Sequence, residues 1–323
     1  MRLTYREALR LGLKEVLVTH KNSFLIGEDV GAYGGTYAVS KDFLSELGSD
    51  KIIDAPLSEV GFTGLGIGAA MGGMKPIVEI MTVNFALLAF DQIINSAAIV
   101  NFMSGGQISL PLVIRMTSGG GRQLAAQHSN SFEGWLAHIP GLKILTPATV
   151  EDARFMLGVA MKETSPVIVI EHALLFNQSG ECRENIPDFN PYKAQIKKGG
   201  KDLTLITYGG MLPRCLKASD EMEKKGREVE VIDLRSLRPL DNETIFTSLK
   251  KTHRVLIVDE GWRSGSLSAE ISARIMESCF YDLDAPVQRL CRKEVPIPYA
   301  RHLEEAIIPQ TADIVLKIEE MFK

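Results

Sequence analysis

Residues 51–80, KIIDAPLSEVGFTGLGIGAAMGGMKPIVEI, contain a complete strand, helix, strand pattern. Lys51 to Asp54 is a short β-branched run, Ser58 to Gly73 has helical spacing, and Pro76 to Ile80 is a second apolar run. Ser58 suits the helix N-cap, and Glu59 places a carboxylate near the positive end of the helix dipole. Two short strands joined through a helix are expected to pair in parallel, because the crossover returns the chain in the same direction.

The alternation continues on both sides. Strands are predicted at Ser23 to Gly27, Pro111 to Thr117, Leu142 to Thr146 and Pro166 to Ile170, with helices over Thr4 to His20, Val83 to Met103 and Val150 to Glu163. Turn residues break the pattern from about Asn177 to Gly200, among them Gly180, Pro187, Pro191 and Lys197-Lys198-Gly199-Gly200. Strands then resume at Leu203 to Tyr208, Val229 to Asp233, Val255 to Asp259 and Val287 to Leu290, with helices between them and a last helix from Leu303. This predicts an α/β protein with two open, mainly parallel sheets: a first domain over 1–180, a linker over 181–200 and a second domain over 201–323.

A net charge of −4, with 45% hydrophobic and 24% charged residues, is ordinary globular composition and offers nucleic acid no electrostatic footprint. The longest apolar stretch, Ile80 to Phe90, is interrupted by Thr82 and Asn84 and falls short of the ~18 apolar residues a membrane helix needs. The start, Met1-Arg2-Leu3-Thr4-Tyr5-Arg6-Glu7-Ala8, has no apolar signal-peptide core. A soluble protein of the cytoplasm, or of an organelle matrix for a mature form, is expected. Cys182, Cys215, Cys279 and Cys291 lie far apart without metal-ligand spacing, and read as free thiols.

Nucleotide loops fail on inspection. The run Gly61 to Gly68 has Met71 where the third glycine of a G-x-G-x-x-G beginning at Gly66 is required, and Ser118-Gly119-Gly120-Gly121-Arg122 lacks the Lys-Ser/Thr ending of a P-loop. Gly64, Gly68 and Gly72 form one stripe on the expected helix, at a cost of about 1 kcal/mol each relative to alanine. They suggest a tight helix contact, within the chain or across a subunit interface, or else a loop that is not helical. Taken singly, Glu59 reads as a helix-end carboxylate, Phe85 as a core residue and His128 as a surface or hydrogen-bonded histidine.

Their ordered company changes this reading. Pro56-Leu57-Ser58-Glu59-Val60-Gly61-Phe62, Met81-Thr82-Val83-Asn84-Phe85, Ala89-Phe90-Asp91-Gln92-Ile93-Ile94-Asn95 and Gln127-His128-Ser129 occur in sequence. So do Gly27-Glu28-Asp29-Val30-Gly31, Pro140-Gly141-Leu142-Lys143, Arg235-Ser236-Leu237-Arg238-Pro239 and Pro296-Ile297-Pro298-Tyr299-Ala300. In order and spacing this set resembles the β subunit of the thiamine diphosphate-dependent decarboxylating component of 2-oxo acid dehydrogenase complexes, over nearly the whole chain.

The resemblance implies a transketolase-like pyrimidine-binding domain followed by a transketolase C-terminal domain. It makes Glu59 the carboxylate that hydrogen-bonds the cofactor's aminopyrimidine, with Leu57, Val60, Phe62 and Phe85 as apolar walls and Phe85 packed against the ring. It makes His128 the residue that orients or protonates the lipoyl group in reductive acylation, and Glu28 and Asp91 members of a water-lined proton path. A potassium loop is implied near Ala160, Glu163 and Ser165, although Glu163 and Ser165 depart from the aspartate and asparagine usual there.

The G-D-G and Asn-Asn elements that hold magnesium and diphosphate in related proteins do not occur in this sequence. The resemblance therefore implies an α subunit that supplies them, an α₂β₂ heterotetramer, and docking of a lipoyl acyltransferase core. Met81 to Phe85 and Met103-Ser104-Gly105-Gly106 are closer to the pyruvate type than to acetoin or branched-chain 2-oxo acid enzymes. A noncatalytic partner that keeps the fold is the alternative from another class. A self-contained sugar enzyme is disfavoured by the missing diphosphate half.

Overall fold

The computed structural model describes residues Met1 to Lys323, which cluster into two compact units. The first comprises Met1–Ser118 and Leu136–Pro191. Six of its strands lie side by side in the order Lys143–Leu145, Val167–His172, Val113–Ser118, Lys75–Ile80, Ser23–Gly27, Ile52–Asp54, all pairing in parallel. Every residue of Ser23–Gly27, Val113–Ser118 and Val167–His172 is buried, as expected of a parallel sheet covered on both faces.

The helix Tyr5–Thr19 opens on a capping box: Thr4 Oγ1 accepts the Glu7 N–H, and Glu7 accepts the Thr4 N–H at 2.7 Å. It packs against the helix Val150–Ala160, where Gly12 is needed because a Cβ there would stand 2.5 Å from the Arg154 carbonyl oxygen. The helix Glu59–Met71 covers the strand Lys75–Ile80, and its close approach is at Gly66, whose Cβ would stand 2.5 Å from Val78 Cγ2. A Cβ on Gly68 would meet nothing within 4 Å, so the glycine stripe makes no tight contact at this point within the unit.

The expected single helix over Val83 to Met103 is broken. It comprises a turn of α-helix at Val83–Ala86, a 3₁₀ turn at Leu87–Ala89, a π turn at Gln92–Ala97 and a last α turn at Val100–Met103, with a bend of 65°. The Ala98 N–H reaches the Ile93 carbonyl at 3.0 Å, the five-residue spacing of a π turn. No single helix is long and apolar enough to cross a membrane; the bent pair around this break meets the requirement by length and composition only.

The second unit comprises Gly119–Trp135 and Tyr192–Lys323. Its sheet runs Gln288–Arg292, Val255–Trp262, Leu203–Thr207, Val229–Asp233, Gln195–Lys198, the last strand antiparallel and the rest parallel. The edge strand Gln195–Lys198 falls inside the stretch expected to be linker. The final helix is two, Arg301–Ile307 and Thr311–Glu320, with Pro309 between them. Residues 119–135, expected in the first domain, pack in the second unit, where the N–H groups of Gly120, Gly121 and Gln123 donate to Glu260 and Glu304. A contiguous 1–180 unit therefore differs from the observed packing.

Candidate active site

In open α/β sheets, ligands bind beyond the carboxyl ends of the strands. Three adjacent strands of the first unit end just before residues singled out by sequence. Ser23–Gly27 releases Glu28, Ile52–Asp54 leads to Glu59, and Lys75–Ile80 leads to Phe85. Asp29, at φ +58°, turns the chain away, and Asp54 fixes the turn by accepting the Gly31 N–H at 2.6 Å and the Ala32 N–H at 2.8 Å.

Glu59 is the first residue of its helix and is 4% exposed. Ser58 occupies the N-cap position, but its side chain makes no capping hydrogen bond. Glu28 is 7% exposed. Burial raises its pKa, the charges of Glu59 and Asp29 raise it further, and a hydrogen bond with the Ser58 backbone partly opposes them. Its Oε1 is buried without a hydrogen-bond partner. The structure thus brings Glu28 and Glu59 together as two water-poor carboxyl groups at one sheet edge.

The expected walls divide. Phe62 is buried and Phe85 half-buried, but Leu57 is 84% exposed and Val60 45% exposed, so these two do not line the site within this chain. They occupy the outward side of the turn that buries Glu59. Asp91 is exposed and accepts a hydrogen bond from Asn95 Nδ2 at 2.9 Å, and it is not among the charges that raise the Glu28 pKa.

His128 belongs to the second unit, exposed on the loop Gly119–Asn130. The Gly119 N–H donates to the Asn130 carbonyl at 3.0 Å, closing the loop at its base, and the His128 N–H donates to the Ala125 carbonyl at 3.3 Å.

In the implied potassium loop the chain supplies partners of its own to several oxygens. The Ala160 carbonyl accepts the Glu163 N–H at 3.2 Å, the Glu163 carboxylate pairs with Lys143 at 2.5 Å, and the neighbouring Met161 carbonyl takes the Lys75 ammonium at 2.9 Å. The Glu163 carboxylate and the Met161 carbonyl thus hold ammonium groups of the chain itself, and the Ala160 carbonyl holds a backbone N–H.

Sequence reading missed a buried row across three neighbouring strands. Arg115 donates to both oxygens of Glu171, at 2.9 and 2.6 Å, and pairs with Glu79 on its other side. Its signal was present as a lone charge within each of the apolar runs IVEI, VIRM and VIVIEH. Such charges remain buried only when paired and hydrogen-bonded.

Comparison with known proteins places this chain in a family. Residues 1–178 match the transketolase pyrimidine binding domain, and residues 192–314 match the transketolase C-terminal domain. The chain is 43% identical over 318 residues to the pyruvate dehydrogenase E1 component subunit beta of Rhizobium meliloti, covering 97% of this chain and 68% of that protein. The chain belongs to the pyruvate dehydrogenase E1 β-subunit family. The mitochondrial beta-1 subunit of Oryza sativa is 44% identical over 317 residues, covering 97% and 85% of the two chains. The mitochondrial subunit of Saccharomyces cerevisiae is 43% identical over 324 residues, covering 99% and 88%. A solved split-gene transketolase described as an inactive β4 tetramer superposes with a TM-score of 0.79 at 22% identity, covering 99% of this chain and 98% of that one. It shares the fold. The E1 β-subunit family thus accounts for the expected pair of open, mainly parallel transketolase-type sheets.

Proposed function

We propose that this chain is the β half of an acetyl-transferring pyruvate dehydrogenase that acts with an α subunit. In the overall reaction pyruvate loses CO₂ and its acetyl group passes to a lipoyl disulfide. The S–S bond opens, one sulfur taking the acyl carbon and the other a proton, so the disulfide is reduced as the substrate carbon is oxidised. The carrying observation is the buried Glu28–Glu59 pair at the strand ends of a chain from this family.

Thiamine diphosphate, when bound, supplies the nucleophilic carbon and the electron sink for loss of CO₂. The buried Glu59 carboxylate fits a hydrogen-bond acceptor for the protonated ring nitrogen of an aminopyrimidine, since a charged acceptor in a water-poor site binds strongly. Phe85 offers a half-buried aromatic face for that ring. Glu28, whose pKa is raised by burial and by the charges of Glu59 and Asp29, stands beside Glu59, and its orphaned Oε1 marks an acceptor position at the same edge. His128 orients or protonates the incoming lipoyl group. Magnesium belongs with the α subunit in this proposal, as do the α₂β₂ assembly and docking on a lipoyl acyltransferase core. A cytoplasmic or organelle-matrix location belongs to it too.

Pyruvate is favoured over acetoin and branched-chain 2-oxo acids by the names of the relatives described above. The test is the enzyme reconstituted with its α subunit and assayed on all three substrates. Glu59→Gln is expected to lower turnover on pyruvate at least ~100-fold, the scale of a lost acid–base group, with the melting temperature little changed. A near-normal rate would remove Glu59 from its role.

A further inference from the structure

The loop that carries His128 is held in an unfavourable backbone shape. Gly119 and Gly121 have φ of +91° and +95°, and the non-glycine residues Gln123 and Ala125 have φ of +59° and +61°. Left-handed non-glycine residues persist where their surroundings over-determine them. Here the surroundings are carboxylates. Glu304, 1% exposed on the helix Arg301–Ile307, accepts the Gly121 N–H at 2.8 Å on one oxygen and the Gln123 N–H at 3.0 Å on the other. Glu260 Oε1 accepts the Gly120 N–H at 2.7 Å and is bridged at 3.0 Å by Arg292, which also donates to Ser131 Oγ at 3.0 Å on the far side of the loop.

Backbone N–H groups converging on an anion form a nest, and in this nest the anions are the chain's own side chains. Space is as restrictive as charge: a Cβ on Gly120 would stand 2.7 Å from Ile308 Cδ1 and 3.5 Å from Glu304 Oε1. The geometry points to Glu304, with Glu260 and Arg292 beside it, as a positioning group that fixes the strained loop and so the place of the His128 imidazole. This inference rests on the acyl-transfer role proposed above for His128.

The test uses the enzyme assembled with its α subunit. Two readouts are taken for Glu304→Gln: the ratio of lipoamide acetylation to decarboxylation with an artificial acceptor, and hydrogen exchange of the segment 119–130. One charge-assisted hydrogen bond in a buried nest is worth about tenfold, so the ratio is expected to fall about tenfold. Exchange in the loop is expected to quicken while the helix Arg301–Ile307 keeps its protection. Adding Gln123→Gly, which keeps the N–H and relieves the left-handed position, is expected to restore part of the ratio, a response that a purely packing role for Glu304 would not give. A wild-type ratio or unchanged loop exchange in Glu304→Gln overturns the proposal.

Should that variant not fold, Glu304→Asp keeps the charge but shortens the side chain by one methylene, drawing its oxygens back from the Gly121 and Gln123 N–H groups. A lowered ratio there supports the clamp, and a wild-type ratio overturns it. His128→Ala run in parallel separates the two ideas. A normal ratio in His128→Ala overturns the acyl-transfer reading itself, whereas a lowered ratio there with a normal one in Glu304→Gln overturns only the clamp.

Discussion

Glu28 sits out of water beside a second carboxylate, and both conditions favour its protonated form. Because its folded pKa lies above the ordinary glutamate value, the folded state binds the proton more tightly than the unfolded one. The resulting stability is full below the unfolded pKa and is lost as pH rises through the raised folded value. Glu28→Gln removes that loss while keeping an oxygen for the Ser58 N–H. Thermal melts should show the variant a few degrees more stable than the parent at neutral pH, with the gap closing toward pH 4; a less stable variant at neutral pH would contradict the assignment. Glu59 was legible in sequence only through its ordered neighbours, since alone it reads as a helix-end charge. Leu57 and Val60 were legible as apolar, yet residue type does not say which side of a turn faces inward, and both face out.

At the scale of elements, the helix Glu59–Met71 separates two glycines of equal sequence appearance. Gly66→Ala would drive a Cβ into Val78 and is expected to destabilise the isolated chain by about 1–3 kcal/mol. Gly68→Ala meets open space and is expected to stabilise it by about 1 kcal/mol through helix propensity. Urea unfolding of both variants checks the pair, and equal effects would refute the packing argument. The parallel strands were legible because burial on both faces writes them as near-continuous apolar runs. Gln195–Lys198 was not, because an edge strand of Gln, Ile and two Lys has the composition of a linker. Nor was the break after Val83, since a π turn uses the same residues as an α-helix and differs only in hydrogen-bond spacing.

For the whole molecule, the proposed division of labour predicts that this chain alone neither binds thiamine diphosphate tightly by calorimetry nor decarboxylates pyruvate. Both properties should appear on mixing with the α subunit, and appreciable activity of the single chain would end the proposal. The membership of residues 119–135 in the second unit could not be read from sequence. The segment donates backbone N–H groups to Glu260 and Glu304, each more than a hundred positions away, and neither stands in a motif that announces a partner. The buried row Glu79, Arg115 and Glu171 was hidden for the same reason: each charge looks anomalous in its own strand and is explained only when the strands lie side by side.

The widened turn at Gln92–Ala97 has a consequence for how chain length can vary. Five-residue spacing accommodates one residue more than ordinary helical winding requires. Dropping a single residue there would let the coil revert to common winding, whereas the same loss within Glu59–Met71 would swing Gly66 away from Val78 and leave a bulkier side chain in its place. One-residue length differences among natural homologues should therefore collect at this turn and be absent from the glycine-bearing helix.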